Sequence, residues 1–138
     1  MKNFQKSCGE AIVKDLRLIL VATNDAGVRE SLLSILNHKN YFVTVLNRGS
    51  EVLLTVLEND IDLAIIDLEL QGMSGREIIP IIRRTRPKVP IIAVSGDNSF
   101  ETGKEIAQQG VWYYLPKPLN LTELDQLLSL VECKTVDL

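Results

Sequence analysis

One apolar stretch decides how this chain folds, and it reads Ile61-Asp-Leu-Ala-Ile-Ile-Asp67-Leu-Glu69. Residues 63–66 are apolar without interruption, which is typical of a parallel β-strand that is buried on both faces. Asp67 follows at the point where such a strand leaves the sheet. Because the ligands of open α/β sheets gather at the carboxyl ends of the strands, Asp67 is the first candidate site residue.

Similar apolar runs lie on either side of this stretch and alternate with helical patterns. The other four predicted strands comprise residues 16–22, 41–46, 90–95 and 111–115. Five strands thus alternate with five helices, which predicts an α/β fold with a doubly wound, mostly parallel sheet and right-handed crossovers. The fourth helix contains Gly103 and few apolar residues, so we expect it to be the least firmly packed.

Short polar residues three positions before an acidic residue predict where three of the helices begin. The pairs are Ser74 with Glu77, Asn98 with Glu101, and Asn120 with Glu123. The spacing of apolar residues further predicts that Leu121 of the fifth helix is buried.

Length and charge indicate one acidic domain. The 138 residues suit a single domain, which we place at residues 16–134 between an extension at 1–15 and a tail at 135–138. The net charge of −3 and the pI near 5.2 provide no basic field that would hold a nucleic-acid backbone. We therefore expect no direct binding to nucleic acid.

The sequence also predicts a cytoplasmic location without membrane association. No apolar run approaches the roughly 18 residues that span a bilayer, and no signal-peptide core follows the first residues. Cys8 and Cys133 lie near opposite ends without metal-binding spacing, which suits two free thiols in a reducing compartment.

Three polar side chains follow successive strands of the predicted sheet. Asp67 follows the third strand, Ser95 the fourth and Lys117 the fifth. Each alone has an ordinary explanation as a turn former, a backbone hydrogen-bonding group or a solvated cation. Together at one sheet edge, they suggest phosphoryl chemistry. A carboxylate can attack phosphorus, a hydroxyl can donate to a phosphoryl oxygen, and an ammonium can balance its charge.

From residue 16 to residue 130, the chain resembles the receiver domain of two-component response regulators. The resemblance is carried by Asp67 after its apolar strand and by the segments 72–75, 94–96 and 114–118. It implies a flavodoxin-like sheet with the strand order 2-1-3-4-5. It also implies a cis peptide bond between Lys117 and Pro118.

The resemblance assigns a role to each matching residue. Asp67 would be the phosphoacceptor, Ser95 the switch hydroxyl, Lys117 the phosphate partner and Tyr114 the switch aromatic residue. The phosphodonor would be a histidine kinase or a phosphotransfer protein. The chain would act in signalling and not as an enzyme.

One departure from the family pattern concerns Mg²⁺. Receivers usually end the first strand with two adjacent acids that hold this ion, and Thr23 and Asn24 stand at those positions here. The ligands implied by the resemblance are Asn24, Asp67 and the backbone carbonyl of Glu69, with Asp25 as an additional ligand if it reaches inward. Because Mg²⁺ prefers carboxylate oxygens, we expect weak binding.

Two further acids lie close to the predicted site. Glu69 and Asp97 each follow a site residue by two positions, where the side chains of receivers vary and can approach the phosphoryl group. Here they could repel an incoming phosphodonor or provide an outer metal contact. The ordinary alternative is a pair of solvated loop acids.

The aromatic run Trp112-Tyr113-Tyr114 predicts a contact surface. Receivers commonly carry small or acidic residues before the switch aromatic residue, and aromatic side chains are enriched at protein interfaces. We expect a downstream protein, or a second copy in a homodimer, to bind this region together with the fourth and fifth helices. Alternation along a strand requires some of these rings to be core.

Three functions compete on these observations. The first is a phosphoacceptor receiver that signals through protein contacts. The second is a pseudo-receiver that binds partners without phosphorylation, which Thr23 and Asn24 favour. The third is an aspartyl-phosphate enzyme, because residues 67–69 resemble the DxD motif of haloacid-dehalogenase-type phosphatases. That motif follows the first strand of its own fold, whereas Asp67 follows the third, so we do not favour the enzyme.

Overall fold

The structure is a computed structural model that describes residues 18–37 and 41–134, with side chains through residue 131. Strands and helices alternate along the chain. In order they are β1 (Leu18–Ala22), α1 (Ala26–Leu36), β2 (Phe42–Leu46), α2 (Gly49–Glu58), β3 (Leu63–Asp67), α3 (Gly75–Thr85), β4 (Ile91–Ser95), α4 (Phe100–Gln108), β5 (Tyr113–Pro116) and α5 (Leu121–Lys134). The predicted extension at 1–15, the tail at 135–138, Cys8 and the side chain of Cys133 lie outside the described residues.

The five strands form one sheet in the order β2-β1-β3-β4-β5, and every pairing is parallel. The predicted fold class and strand order are therefore confirmed. β3 is the central strand, and all five of its residues are buried. Its register pairs Asp67 with Val94, while Ser95 pairs with Pro116 on β5. This register brings the ends of β3, β4 and β5 to one edge.

Helices cover both faces of the sheet, and β3 divides its side chains between them. Ala64 and Ile66 pack in a cluster with residues of α2, α3 and α4, whereas Leu63 and Ile65 pack with residues of α1 and α5. Burying an aliphatic side chain of the size of Leu or Ile stabilises a fold by about 1.5–3 kcal/mol. The uninterrupted apolar run in β3 is thus explained by burial on both faces.

Two of the three predicted helix caps are confirmed. The Glu77 carboxylate accepts a hydrogen bond from the Ser74 backbone N–H at 2.9 Å, and the Asn120 side chain accepts one from the Glu123 N–H at 3.0 Å. The side-chain acceptor at the start of α4 was predicted wrongly.

The N-cap of α4 is Ser99 and not Asn98, because its hydroxyl accepts from the Thr102 N–H at 3.2 Å. Asn and Ser are equally good cap residues, and the helix begins one residue later than the Asn98 pattern indicated. α4 buries Thr102 and Ile106, while Phe100 is 84% exposed.

Other predictions need small corrections at the edges of elements. Leu121 was predicted to be buried but is 39% exposed, because the covered stripe of α5 is narrower than its run of leucines. β2, β4 and β5 begin at Phe42, Ile91 and Tyr113, one or two residues later than predicted. No described helix is long and apolar enough to cross a membrane.

The start of α3 rests directly on the end of β3. A Cβ atom added at Gly75 would lie 2.6 Å from the Asp67 carbonyl oxygen and 2.7 Å from the Leu68 Cα atom. Both contacts are with backbone atoms, which cannot move aside as a side chain can. Gly75 therefore allows the helix to approach the strand that carries Asp67.

We expect Gly75→Ala to lower the free energy of unfolding by about 1–3 kcal/mol, because the new methyl group overpacks this contact. Gly103→Ala is the matched control. A Cβ there meets nothing within 4 Å, so this variant should be neutral or up to about 1 kcal/mol more stable. Urea unfolding measures both, and equal stability of Gly75→Ala and wild type would contradict the close contact.

Candidate functional site

Asp67 ends the central strand, and its carboxylate is buried, with only 2% of the side chain exposed. Its Oδ2 atom accepts a hydrogen bond from the Thr23 hydroxyl at 2.7 Å and lies 2.9 Å from the Lys117 ammonium. Its Oδ1 atom accepts the Glu69 backbone N–H at 2.9 Å. A buried carboxylate requires such partners, because its charge has lost the solvation of water.

Lys117 is the cation of the site and follows β5. Its Nζ atom lies 2.9 Å from Asp67, 3.1 Å from Glu69 and 3.4 Å from Asp25. Burial alone would lower the pKa of Lys117, but the hydrogen bonds to Asp67 and Glu69 outweigh it and raise the pKa well above its usual value. The ammonium is thus held charged. The implied cis peptide bond between Lys117 and Pro118 is present.

Ser95 is connected to this cluster through Glu69. The Ser95 hydroxyl donates to Glu69 Oε2 at 2.7 Å and accepts the Asp97 backbone N–H at 2.9 Å. The Gly96 backbone N–H donates to Glu69 Oε1 at 3.2 Å. Burial acts to raise the pKa of Glu69, but the hydrogen bonds from Ser95 and Lys117 lower it overall. The structure therefore brings Asp67, Lys117 and Ser95 to one site, with the Glu69 carboxylate among them.

The loop after β1 contributes a buried hydroxyl to the site. Thr23 is buried and donates to Asp67, which the sequence analysis did not foresee. The Asn24 amide group donates to the Asn47 carbonyl at 2.9 Å, and its Oδ1 atom accepts the Gln71 N–H at 2.8 Å. Asn24 therefore joins two neighbouring loops.

Asp25 combines two roles that the sequence analysis had set against each other. It caps α1, because its Oδ1 atom accepts the N–H groups of Gly27 and Val28 at 2.8 and 3.2 Å. Its Oδ2 atom lies 3.4 Å from the Lys117 ammonium. The hydrogen bond from Val28 is the main cause of a lowered pKa for Asp25, and Lys117 adds to it.

These contacts do not fit a Mg²⁺ site. Both oxygens of Asp67 accept hydrogen bonds or face Lys117, Thr23 directs its proton at Asp67, and the Asn24 oxygen is taken by Gln71. No group of three His, Cys, Asp or Glu side chains within 18–37 and 41–131 is arranged to hold a metal ion. In this arrangement the charge of Asp67 is balanced by the Lys117 ammonium.

Asp97 approaches the site through its backbone and turns its carboxylate towards α4. That carboxylate accepts the Thr102 hydroxyl at 2.6 Å and the Ser99 N–H at 2.9 Å, and it lies 3.5 Å from Arg76 of α3. The sequence left open a contact with the phosphoryl site or a solvated loop acid, and the described carboxylate is instead held by residues of α3 and the start of α4. The hydrogen bond from Thr102 is the main reason why the pKa of Asp97 is lowered to about 2.

Arg76 holds the start of α4 against α3, a role that nothing in the sequence pattern indicated. Its guanidinium donates to Glu105 at 2.6 Å and to Thr102 at 2.9 Å.

The Tyr114 hydroxyl donates to the Asp97 carbonyl at 2.6 Å. Ser95, Asp97 and Tyr114 therefore form a continuous chain of hydrogen bonds from the site to the aromatic run.

The three aromatic residues of the predicted contact surface differ in their surroundings. Tyr114 packs against the core cluster of α2, α3 and α4. Trp112 is half-buried against the opposite cluster, and its ring centroid lies 6.3 Å from that of Tyr113. Tyr113 is 38% exposed and donates to Glu123 of α5 at 2.8 Å. Two of the three rings thus contribute to the core, and they do so on opposite faces of the sheet because Trp112 precedes β5 and does not follow the alternation of the strand.

The site consists of a buried aspartate at the end of β3, a hydroxyl at the end of β4 and a lysine before a cis proline after β5. Residues 19–129 match the family model of the response regulator receiver domain. The chain belongs to this family. The predicted family is therefore confirmed, and the receiver match covers nearly all of the described sheet and helices.

Similar proteins include transcriptional regulators. The chain is 32% identical over 106 residues to the DNA-binding transcriptional regulator NtrC of Rhizobium meliloti (strain 1021), covering 77% of this chain and 22% of that protein. It is 34% identical over 114 residues to NtrC of Azospirillum brasilense, covering 83% of this chain and 23% of that protein. The chain thus spans less than a quarter of the length of either relative.

Solved structures show the same fold. A CheY-like receiver domain protein from Methanospirillum hungatei JF-1 has a TM-score of 0.76 and 27% identity, covering 87% of this chain and 99% of that chain. The receiver domain of the Francisella response regulator 1452 has a TM-score of 0.79 and 25% identity, covering 86% of this chain and 98% of that chain.

We expect Asp97→Asn to destabilise the fold at neutral pH and to lose this effect in acid. Because the pKa of Asp97 falls from 3.8 to about 2 on folding, its carboxylate stabilises the folded state above about pH 4. That contribution disappears as the pH falls from about 4 to about 2. Denaturant unfolding at pH 6 and near pH 2 measures the difference from wild type. A difference that does not change with pH would contradict the role of the charge, and Glu58→Gln at the end of α2 is the control.

We expect the double variant Thr23→Asp, Asn24→Asp to bind Mg²⁺ at least about tenfold more tightly than wild type, because affinity depends on the number of charged oxygen ligands. Isothermal titration calorimetry measures the affinity. Thr23→Ser, which keeps the hydroxyl, should behave as wild type. Unchanged affinity in the double variant would mean that these two residues do not occupy the metal-binding positions of the family.

Proposed function

We propose that this chain is a phosphoacceptor receiver of a two-component system, which takes a phosphoryl group on Asp67 from a histidine kinase or a phosphotransfer protein in the cytoplasm. One observation carries the proposal. The Ser95 hydroxyl, the Gly96 N–H and the Lys117 ammonium all donate to a single anionic group beside Asp67. Charge-assisted hydrogen bonds of this kind are the ones that bind phosphoryl oxygens.

The proposed transfer is a nucleophilic displacement at phosphorus. A carboxylate oxygen of Asp67 forms the new oxygen–phosphorus bond while the phosphorus–nitrogen bond of the donor phosphohistidine breaks, and the imidazole leaves with the electron pair. Lys117, which already contacts Asp67 at 2.9 Å, would compensate the charge on the transferred group. Ser95 and the Gly96 N–H would hold its oxygens.

In this proposal, a structural change at the site is transmitted to Tyr114 through hydrogen bonds that begin at Ser95. Ser95 accepts the Asp97 N–H, and the Asp97 carbonyl accepts the Tyr114 hydroxyl, so a displacement of Ser95 would alter the position of Tyr114. The surface near Trp112, Tyr113, α4 and α5 would then bind a downstream protein or a second copy of the chain. In this proposal the chain signals through contacts and is not an enzyme.

A second function is favoured by the loop after β1. Thr23 supplies a neutral hydroxyl to Asp67, and the residues around it do not fit Mg²⁺. A pseudo-receiver would keep this closed arrangement permanently and bind its partner without phosphorylation. The two functions differ in whether Asp67 ever forms a covalent bond to phosphorus.

We expect wild type incubated with acetyl phosphate to gain the mass of one phosphoryl group, and Asp67→Asn to gain none, as measured by intact-protein mass spectrometry. Asp97→Asn is the matched control, because its carboxylate faces α4, and it should be phosphorylated. The incubation is run with and without Mg²⁺. Absence of the adduct in wild type under both conditions would reject the phosphoacceptor and favour the pseudo-receiver.

A further inference from the structure

We propose that Glu69 is a built-in substitute for the phosphoryl group, whose carboxylate occupies the phosphate-binding donors and must leave before Asp67 can be phosphorylated. The inference rests on the proposed function, since it assigns these donors to a phosphoryl group. It goes beyond that function by making phosphorylation a competition between an external anion and one supplied by the chain.

The contacts of Glu69 are those of a bound anion. Oε2 accepts the Ser95 hydroxyl at 2.7 Å, and Oε1 accepts both the Gly96 N–H at 3.2 Å and the Lys117 ammonium at 3.1 Å. Three donors from two different loops thus converge on one carboxylate. An ionised carboxylate, like a phosphoryl group, offers only acceptor oxygens and a negative charge.

The Glu69 carboxylate does not cap the helix that follows it. Glu69 belongs to the loop between β3 and α3, its side chain is 47% exposed, and α3 is capped instead by Ser74 and Glu77. A glutamate of this exposure is ordinarily solvated, because ordering its side chain costs conformational entropy. The donors around it must therefore offset that cost.

The position of Glu69 also closes the site. Asp67 is 2% exposed and Lys117 is 17% exposed, and the Glu69 carboxylate occupies the donors that an incoming phosphoryl group would need. Both anions need the same donors, and like charges at this distance repel each other. Because Glu69 is partly exposed, its side chain can rotate into water and leave Ser95, Gly96 and Lys117 for the phosphoryl oxygens.

The test compares anion binding by wild type, Glu69→Ala and Glu69→Gln in the full chain. Beryllofluoride, which mimics an aspartyl phosphate on Asp67, is followed by fluorine NMR. Sulfate, which needs no covalent bond, is followed through the Gly96 backbone amide signal. Glu58→Ala, which removes an exposed acid at the end of α2, is the matched control.

Glu69→Ala should bind beryllofluoride at least about tenfold more tightly than wild type, because charged hydrogen bonds to the competing carboxylate are lost. Glu69→Gln should lie between them, since its amide oxygen can still accept from Ser95 but carries no charge. Sulfate should shift the Gly96 signal in Glu69→Ala at concentrations that leave wild type unchanged, and Glu58→Ala should match wild type.

The outcomes separate this inference from the proposed function. Equal beryllofluoride affinity in wild type and Glu69→Ala would overturn the inference and leave the phosphoacceptor intact. If neither binds beryllofluoride, the phosphoacceptor function fails and sulfate decides the inference. A sulfate response confined to Glu69→Ala would support the role of Glu69, whereas equal responses in both proteins would overturn it.

Discussion

The site depends on one ammonium group that lies among three carboxylates. Asp67 is almost completely buried, and an uncompensated charge there would cost several kcal/mol. Lys117 provides the compensation at 2.9 Å and also reaches Asp25 and Glu69, so one side chain connects the loops that follow β1, β3 and β5. This arrangement raises the pKa of Lys117, because removing its proton would leave the neighbouring carboxylates without a cation.

The parallel sheet creates the conditions for this interaction. Asp67 pairs with Val94 and Ser95 with Pro116, so each site residue stands at or just beyond the last pair of its strand. α3 can begin immediately above Asp67 because Gly75 has no side chain. The register of the strands therefore sets the backbone positions of the site residues. The local hydrogen bonds set the orientation of their side chains.

The sequence was sufficient for the features that backbone periodicity determines. The apolar run of β3, the alternation of elements and the polar residues at the strand ends predicted the parallel sheet and the grouping of Asp67, Ser95 and Lys117, whereas the strand order was implied by the resemblance to receiver domains. The sequence was insufficient where a side chain has several possible hydrogen-bond partners. The inward turn of Glu69 depends on donors 26, 27 and 48 positions away, and on sequence grounds alone Asp97 could approach the phosphoryl site or be a solvated loop acid. The cap of α4 was misplaced because asparagine and serine are about equally favoured as N-cap residues, and Asn98 and Ser99 are adjacent.

Thr23 and Glu69 are best understood together. The site already holds Asp25, Asp67 and Glu69 against one lysine, which leaves an excess of two negative charges. An ionised acid in place of Thr23, lying as close to Asp67 as the threonine hydroxyl does, would add a third excess charge. Without a metal ion, the exposed Glu69 would then be the group most easily repelled into water. A neutral hydroxyl at this position instead donates to Asp67 and lets Glu69 approach Lys117. The neutral side chain at Thr23 and the inward position of Glu69 are therefore two parts of the same electrostatic balance.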